Sequence, residues 1–404
     1  MKPWLLLTFG LLTYLAYGLY LSQTDLVVIP TNLKREQPTD FYDYRGVTNI
    51  RTNLSNGSAP TAQVIAEAKQ AGLDFLIITD LNQFQNQPHS ASYYGNLVVL
   101  NGGEYSFLDS RLLTYPQKEN LTFENSAEAN VYFTDLLSSK FSEKKNSLVI
   151  LGEPFRNNNP TWVGAYPPGL DGIEIVNPKS ISANAWIRSK LNVLWSFFVY
   201  PFNPRYAFLR LFREPTAEVA LWDQLSQERP TLAFSGADAS ARAIPWANML
   251  VEFPSYQKSF EITSNHILLN SELTGNFPKD SQKIWQALKS GHFYLSLDLL
   301  GDPKGFICQI DDLNKSYLMG DQINYSKNLK LHCKLPIEPR DFYELVVLKN
   351  GQRELTINSP EFTFPITEPG TYRVIVRVSP QLPIPDGKKW ITWIYTNNFY
   401  IQKF

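Results

Sequence analysis

Between residues 45 and 300 a series of short apolar runs recurs, each ending on an acidic or polar residue. LDFLII at 73–78 leads into Thr79-Asp80, LVVLN at 97–101 into Gly102-Gly103-Glu104, and SLVIL at 147–151 into Gly152-Glu153. GIEIV at 172–176 leads into Asn177, and TLAFS at 231–235 into Gly236-Ala237-Asp238. Continuous apolar runs of this length suit strands covered on both faces. Helix-like stretches separate them, so a parallel α/β domain is expected over 45–300. The clearest unit is Pro60 to Asp80, where Val64, Ile65, Ala68 and Ala71 share one helical face, Gly72 ends the helix and LDFLII follows as a buried strand. Parallel α/β folds gather their sites at the carboxyl ends of strands. Asp80, Glu104, Glu153 and Asp238 stand there together, which predicts a shared cleft at one end of a barrel-like sheet. The plainer reading is that loops after strands are polar anyway.

From about residue 301 the pattern changes to alternating strands and turns: FICQI, LKLHCKL, YELVVLKNGQ, FTFPI, TYRVIVRVS and WITWIYTNNFYI. This predicts an all-β sandwich over 301–404, with hairpin or turn signals at Asn350-Gly351 and Pro369-Gly370. Residues 23–44 read as a polar connector. Ahead of it, Trp4 to Leu21 carries no charged residue and is just long enough to cross a bilayer. An uncleaved anchor over 1–22, a cleaved signal with Ala16-Tyr17-Gly18 near the cut, and a buried soluble helix are the readings to separate. Lys2 precedes the run and Asp25 follows it, which puts the bulk of the chain on the extracytoplasmic side: membrane-anchored in a periplasm or at a cell surface, or secreted if cleaved. In that compartment Cys308 and Cys333, on the apolar faces of their segments, either pair or remain buried thiols. Asn53-Leu54-Ser55 and Asn120-Leu121-Thr122 fit a glycosylation triplet.

Composition excludes several classes. With 37 basic against 38 acidic residues there is no net field to gather a polyanion, so no nucleic-acid partner is expected. Two cysteines and four histidines are too few for a Cys-rich cluster and make a His-rich metal centre hard to build. No phosphate-binding loop, dinucleotide fingerprint or nucleophile elbow occurs.

Residues 45–82, RGVTNIRTNLSNGSAPTAQVIAEAKQAGLDFLIITDLN, resemble the opening of the polymerase and histidinol phosphatase (PHP) superfamily, in particular its secreted-type metallohydrolase branch. That family shows G-x-x-H-x-H-T-x-x-S-D-G, a helix ending A-x-x-G-L-D, then T-D-H-N, G-x-E, a His-Pro pair and G-x-D-x-H. The counterparts here, in order, are Gly46 to Gly57, Ala68 to Asp74, Thr79 to Asn82, Gly102 to Glu104, Glu153-Pro154 and Gly236 to Ser240. The resemblance spans about 45–300 and implies a distorted (β/α) barrel with a multinuclear metal site for hydrolysis. The β region also looks like the carboxy-terminal domain of that branch, through NGQRE, GTYRVIV and TNNFYI.

The departures fall on the implied metal ligands. Asn49 and Arg51 stand where the paired histidines belong, Asn56 at the aspartate, Leu81 at the T-D-H histidine, Glu153 at the His-Pro histidine and Ser240 at the last histidine. Glu104 and Asp238 keep the family's carboxylates, with Asp80 beside them. Amide, leucine and serine do not replace imidazole, and a guanidinium repels a divalent cation. Arg51 is expected to turn inward and neutralise Glu104 or Asp238, the alternative being solvent. No cofactor is then expected. The alternative is a magnesium, manganese or calcium ion held by oxygen alone, from Asp80, Glu104, Glu153 and Asp238 with Asn49 or Asn56. His89, His266, His292 and His332 read as surface or packing residues.

Residues 186–213 join Trp195, Phe197, Phe198, Tyr200 and Phe202 to Arg188, Lys190, Arg205, Arg210 and Arg213 without an acid. They suit either a lipid interface or packing against the rest of the protein, and Pro201 and Pro204 argue against a second spanning helix. The expected function is a membrane-anchored pseudoenzyme that binds or scaffolds a small molecule or protein at its cleft. The rivals are an active phosphoesterase-type hydrolase with a reduced carboxylate site and an envelope interaction protein acting through its β region.

Overall fold

The computed structural model describes residues 3–30, 41–82, 91–116, 123–138, 147–241, 243–246, 249–313 and 315–403. Its organising strand is Tyr42–Ile50, which pairs parallel with Phe75–Ile78 and antiparallel with Ser264–Leu269. Phe75–Ile78 in turn pairs parallel with Leu97–Asn101. The helix Thr61–Gln70 buries Val64, Ile65 and Ala68, and Gly72 follows it at φ 71°, a left-handed turn that suits glycine. This is the helix-to-strand unit expected between Pro60 and Asp80, with Ala71 only half-buried.

A second sheet runs in the order Leu232–Ser235, Gly172–Val176, Leu148–Gly152, Ser110–Tyr115, Gly103–Phe107. The two sheets touch through isolated parallel bridges, Ile50 to Ala239 and Leu81 to Glu104. Phe75, Leu100, Leu113, Ile150, Ile173, Phe234 and Phe293 fill a common core. The domain is mixed rather than parallel. Gly103–Phe107 and Ser110–Tyr115 are joined by two residues, Leu108 and Asp109, and so short a link can only make an antiparallel hairpin. Glu104, read from the sequence as lying just past a strand, therefore sits inside one.

Strand pairing continues past residue 300. Phe293–Ser296 pairs with Ile391–Thr396, so one sheet extends from Ser92–Tyr94 to Gln322–Asn324. Trp393 Nε1 donates to the Gly301 carbonyl at 2.8 Å across the same junction. A four-stranded sheet of Lys315–Leu318, Ile307–Asp312, Lys330–Lys334 and Glu361–Pro365 shares a core with it, containing Ile310, Leu331, Leu345, Val374 and Trp393. Cys308 and Cys333 are direct cross-strand partners there and form a disulfide. Asn350 and Gly351, at φ 51° and 79°, turn the expected hairpin between Phe342–Lys349 and Gln352–Ile357.

The connector is only partly a connector. Leu26, Val27, Val28 and Ile29 are buried, and Val28 bonds through its backbone to Leu300 and Arg340. An apolar helix, Pro3–Ser22, has a mean hydropathy of 1.6 over its best 18-residue window and is mostly exposed. Asn53 is exposed in the 51–60 turn, whereas Asn120 and His89 lie outside the described residues.

Candidate functional site

Arg51 follows directly on Tyr42–Ile50, where Ala239 accepts its backbone N–H at 2.9 Å. Its side chain turns inward. Nε and Nη2 donate to the two oxygens of Glu104 at 2.5 and 2.8 Å, and Nη1 donates to Asp238 at 2.5 Å. A fork on one carboxylate plus a third bond to another uses the planar guanidinium in a way an ammonium could not. Burial disfavours the Arg51 charge, but Asp238 and Glu104 outweigh it and hold its pKa above the ordinary arginine value. Burial likewise works against the Asp238 carboxylate, and Arg51 and then Lys179 overcome it, leaving its pKa well below the usual range.

Further acids, bases and amides surround this pair. Glu153 is buried, with Arg156 at 2.9 Å and Lys179 at 3.4 Å, and Lys179 also lies 3.5 Å from Asp238. Asn49 is buried and donates to Glu174 at 2.9 Å, while its own Oδ1 has no hydrogen-bond partner. Asn49, Glu153 and Asp238 all have positive φ, between 44° and 61°, in a region costly for side chains other than glycine. Such conformations concentrate at functional sites.

Other expected members stand apart. Asp80 accepts from Thr52 N, Thr52 Oγ1 and Ser55 Oγ at 2.6, 2.8 and 2.6 Å, so it clamps the 52–55 turn. Asn56 is exposed on that turn. Leu81 meets Glu104 through its backbone bridge, and the Ser240 carbonyl accepts from Ser58 N and Tyr256 Oη. His266 is fully buried against Asp43 and stacked on Tyr294, and His292 lies 2.9 Å from Asp321. His332 is half-buried, 3.8 Å from Glu361.

Sequence reasoning missed Glu174. It lies mid-strand in GIEIV, wholly buried, and accepts from Asn49 Nδ2, from Asn177 Nδ2 at 3.1 Å and from Glu153 N at 3.3 Å. Burial pushes its pKa up to about 8, so it is mostly protonated at neutral pH. A Cβ on Gly236 would fall 1.8 Å from its Oε1, which explains glycine there. The signal was present: a single acid in a strand covered on both faces has to be paired or neutral. Asn177 completes the cluster, donating to Glu174 and Asp238 while its Oδ1 caps the helix Pro178–Arg188. A cavity of ≈ 130 Å³ lined by Glu174 and Asn177 adjoins the cluster, and Arg51, Glu104 and Asp238 do not line it.

The metal centre implied by the resemblance can be tested on these donors. Both oxygens of Glu104 and one of Asp238 are spent on a guanidinium, and Asp80 is spent on a turn. Among the described residues no group of three or more His, Cys, Asp or Glu converges as metal ligands would. The residues do not fit a divalent cation while Arg51 holds its place.

No protein-family model and no curated protein matches the chain. Among solved structures it is similar to a two-domain protein from Bacteroides vulgatus containing a predicted PHP-like metal-dependent phosphoesterase. Identity is 11% and the TM-score 0.40, over 90% of this chain and 99% of that one. It is also similar to a protein from Bifidobacterium adolescentis whose assignment as a metal-dependent phosphoesterase is provisional. There the identity is 14% and the TM-score 0.25, over 54% of this chain and 94% of that one. Both likenesses are distant, and the chemistry of this chain's site stands on its own geometry.

Proposed function

We propose that this chain is a membrane-anchored, extracytoplasmic protein of PHP-like architecture, with a barrel and a β-sandwich, that has exchanged a metal centre for an internal cation. It is a pseudoenzyme serving as a binding or scaffolding module. The single observation that carries this reading is the buried Arg51 guanidinium bonded to both Glu104 and Asp238. A permanent positive charge at that point supplies the neutralisation a metal would give, but offers no open coordination position and no activated water. The cavity beside Glu174 and Asn177 supports a binding role, since it mixes polar and apolar lining and Arg51, Glu104 and Asp238 do not line it. The exposed apolar helix Pro3–Ser22 supports the anchor.

The test is hydrolysis of phosphomonoesters and phosphodiesters by the full chain in detergent, with magnesium, manganese, calcium or zinc added in turn. No turnover above the Asp238→Ala variant is expected under any condition. Metal-dependent turnover abolished by Asp238→Ala would instead establish the reduced-site hydrolase.

A further inference from the structure

Helix Lys190–Val199 is apolar on its outward face as well as its inward one, unlike a surface helix of a soluble protein. Val193, Ser196 and Val199 are buried, while Leu191, Leu194, Trp195 and Phe198 form an outward stripe at i, i+3, i+4 and i+7. Trp186 and Ile187, at the end of the preceding helix, extend the exposed apolar surface. The charged neighbours Arg188, Lys190 and Arg213 are also exposed, and no acid occurs between 186 and 213.

This surface is continuous with the apolar amino-terminal helix. Tyr14 Oη donates to the Phe198 carbonyl at 2.8 Å, and the Tyr14 ring meets Phe202 edge-on. Tyr17 packs on Trp195, and Gly18 approaches Phe202 so closely that a Cβ would fall 2.3 Å from the ring. Asn203 Nδ2 donates to the Leu21 carbonyl at 2.9 Å.

Depth follows from length. The helix has 20 residues, or about 30 Å at 1.5 Å per residue, which matches the hydrocarbon core. Its docked part, from Tyr14 on, takes up roughly 13 Å of that. The undocked part from Pro3 to Thr13 covers only about 16 Å, roughly one leaflet. A spanning helix therefore carries its docking partner into the other leaflet.

We infer that the face Trp186–Phe198 is embedded in the near leaflet of an anionic bilayer, beside the anchor, with Arg188, Lys190 and Arg213 at the phosphates. The protein is thus seated on the membrane rather than tethered at a distance. This rests on the reading of Pro3–Ser22 as an anchor, and the experiment separates the two.

Full chain carrying a single nitroxide, at Leu194→Cys, Leu191→Cys, Leu7→Cys or Leu313→Cys, is reconstituted in vesicles of phosphatidylcholine and phosphatidylglycerol. These side chains are all exposed and the native cysteines are paired, so labelling leaves the core untouched. Oxygen accessibility relative to a water-soluble nickel complex is expected to be several-fold higher at 194 and 191 than at 313. Lipid exposure at Leu7 with water exposure at 191 and 194 would overturn the inference and leave the anchor standing. Water exposure at 7, 191 and 194 alike would overturn both. Lipid exposure at 191 and 194 without Leu7 would support the embedded face and remove the anchor. Dipolar broadening between labels at 194, with low access to both reagents, would place a second copy there and overturn the inference.

Discussion

Arg45 lies within the strand Tyr42–Ile50 and Arg51 directly after it, and both are buried. Arg45 donates to one carboxylate, Asp298, at 2.6 Å and to the carbonyls of Ala71 and Phe260 at 2.9 and 3.0 Å. Those carbonyls lie at the ends of helices Thr61–Gln70 and Tyr256–Phe260, so Arg45 ties helix ends to the sheet. Arg51 instead donates to two carboxylates from different elements. Arg45 holds helix-end carbonyls beside a single carboxylate, whereas Arg51 balances two buried acids, Glu104 inside one strand and Asp238 beyond another. Burial and residue type are the same, so what each guanidinium faces is what separates them: helix ends for Arg45, two carboxylates for Arg51.

The largest effect should come from Arg51→Ala, which leaves Glu104 and Asp238 buried without a counter-charge. A loss of about 3–5 kcal/mol is expected in chemical denaturation. Manganese should recover part of it in the variant and leave the wild type unmoved. Arg45→Ala strands one carboxylate and two carbonyls, so about 3 kcal/mol is expected, with no recovery by metal. Equal metal responses in the two variants would erase the distinction between the two arginines.

Glu174 sharpens it further through pH. Its folded pKa of about 8 lies above the ordinary value of 4.5, so across that window the folded state binds more protons than the unfolded one. Stability attributable to it is present below the ordinary value and falls as pH rises, by up to about 1.4 kcal/mol per unit, levelling off above pH 8. Glu174→Gln should remove this decline, visible as denaturation midpoints that converge at low pH and diverge at high pH. Asp238 has the opposite sign: its folded pKa is depressed from 3.8, so its contribution is held above that value and lost as pH falls. The smallest effect belongs to Lys179→Ala. Its side chain is 43% exposed, so solvent screens the pair and a loss under about 1 kcal/mol is expected.

The strands and the Pro60 to Asp80 unit were legible because apolar runs and a terminating glycine are local signals. The inward turn of Arg51 was legible from strand alternation, although which acid it would meet was left open between Glu104 and Asp238 and the structure shows it bonded to both. The hairpin at Leu108-Asp109 was not, since it places Leu108 at φ 53°, where a leucine gives no turn signal, and it moved Glu104 from a loop into a strand. Asp80 was misjudged because the hydrogen bonds that claim it come from Thr52 and Ser55, whose hydroxyls look unremarkable in sequence. Glu174 was overlooked because it broke the apolar pattern by a single residue. The pairing of Phe293–Ser296 with Ile391–Thr396 is a contact between distant segments, which no local pattern encodes.

If Arg51 stands where a metal would, the protein has no use for one. Elemental mass spectrometry on the full chain, purified without chelator and then dialysed separately against zinc, manganese, magnesium and calcium, decides the matter. Substoichiometric metal is expected in every case, unchanged by Glu104→Gln or Asp238→Asn. Stoichiometric metal that disappears in either variant would show a working metal site instead.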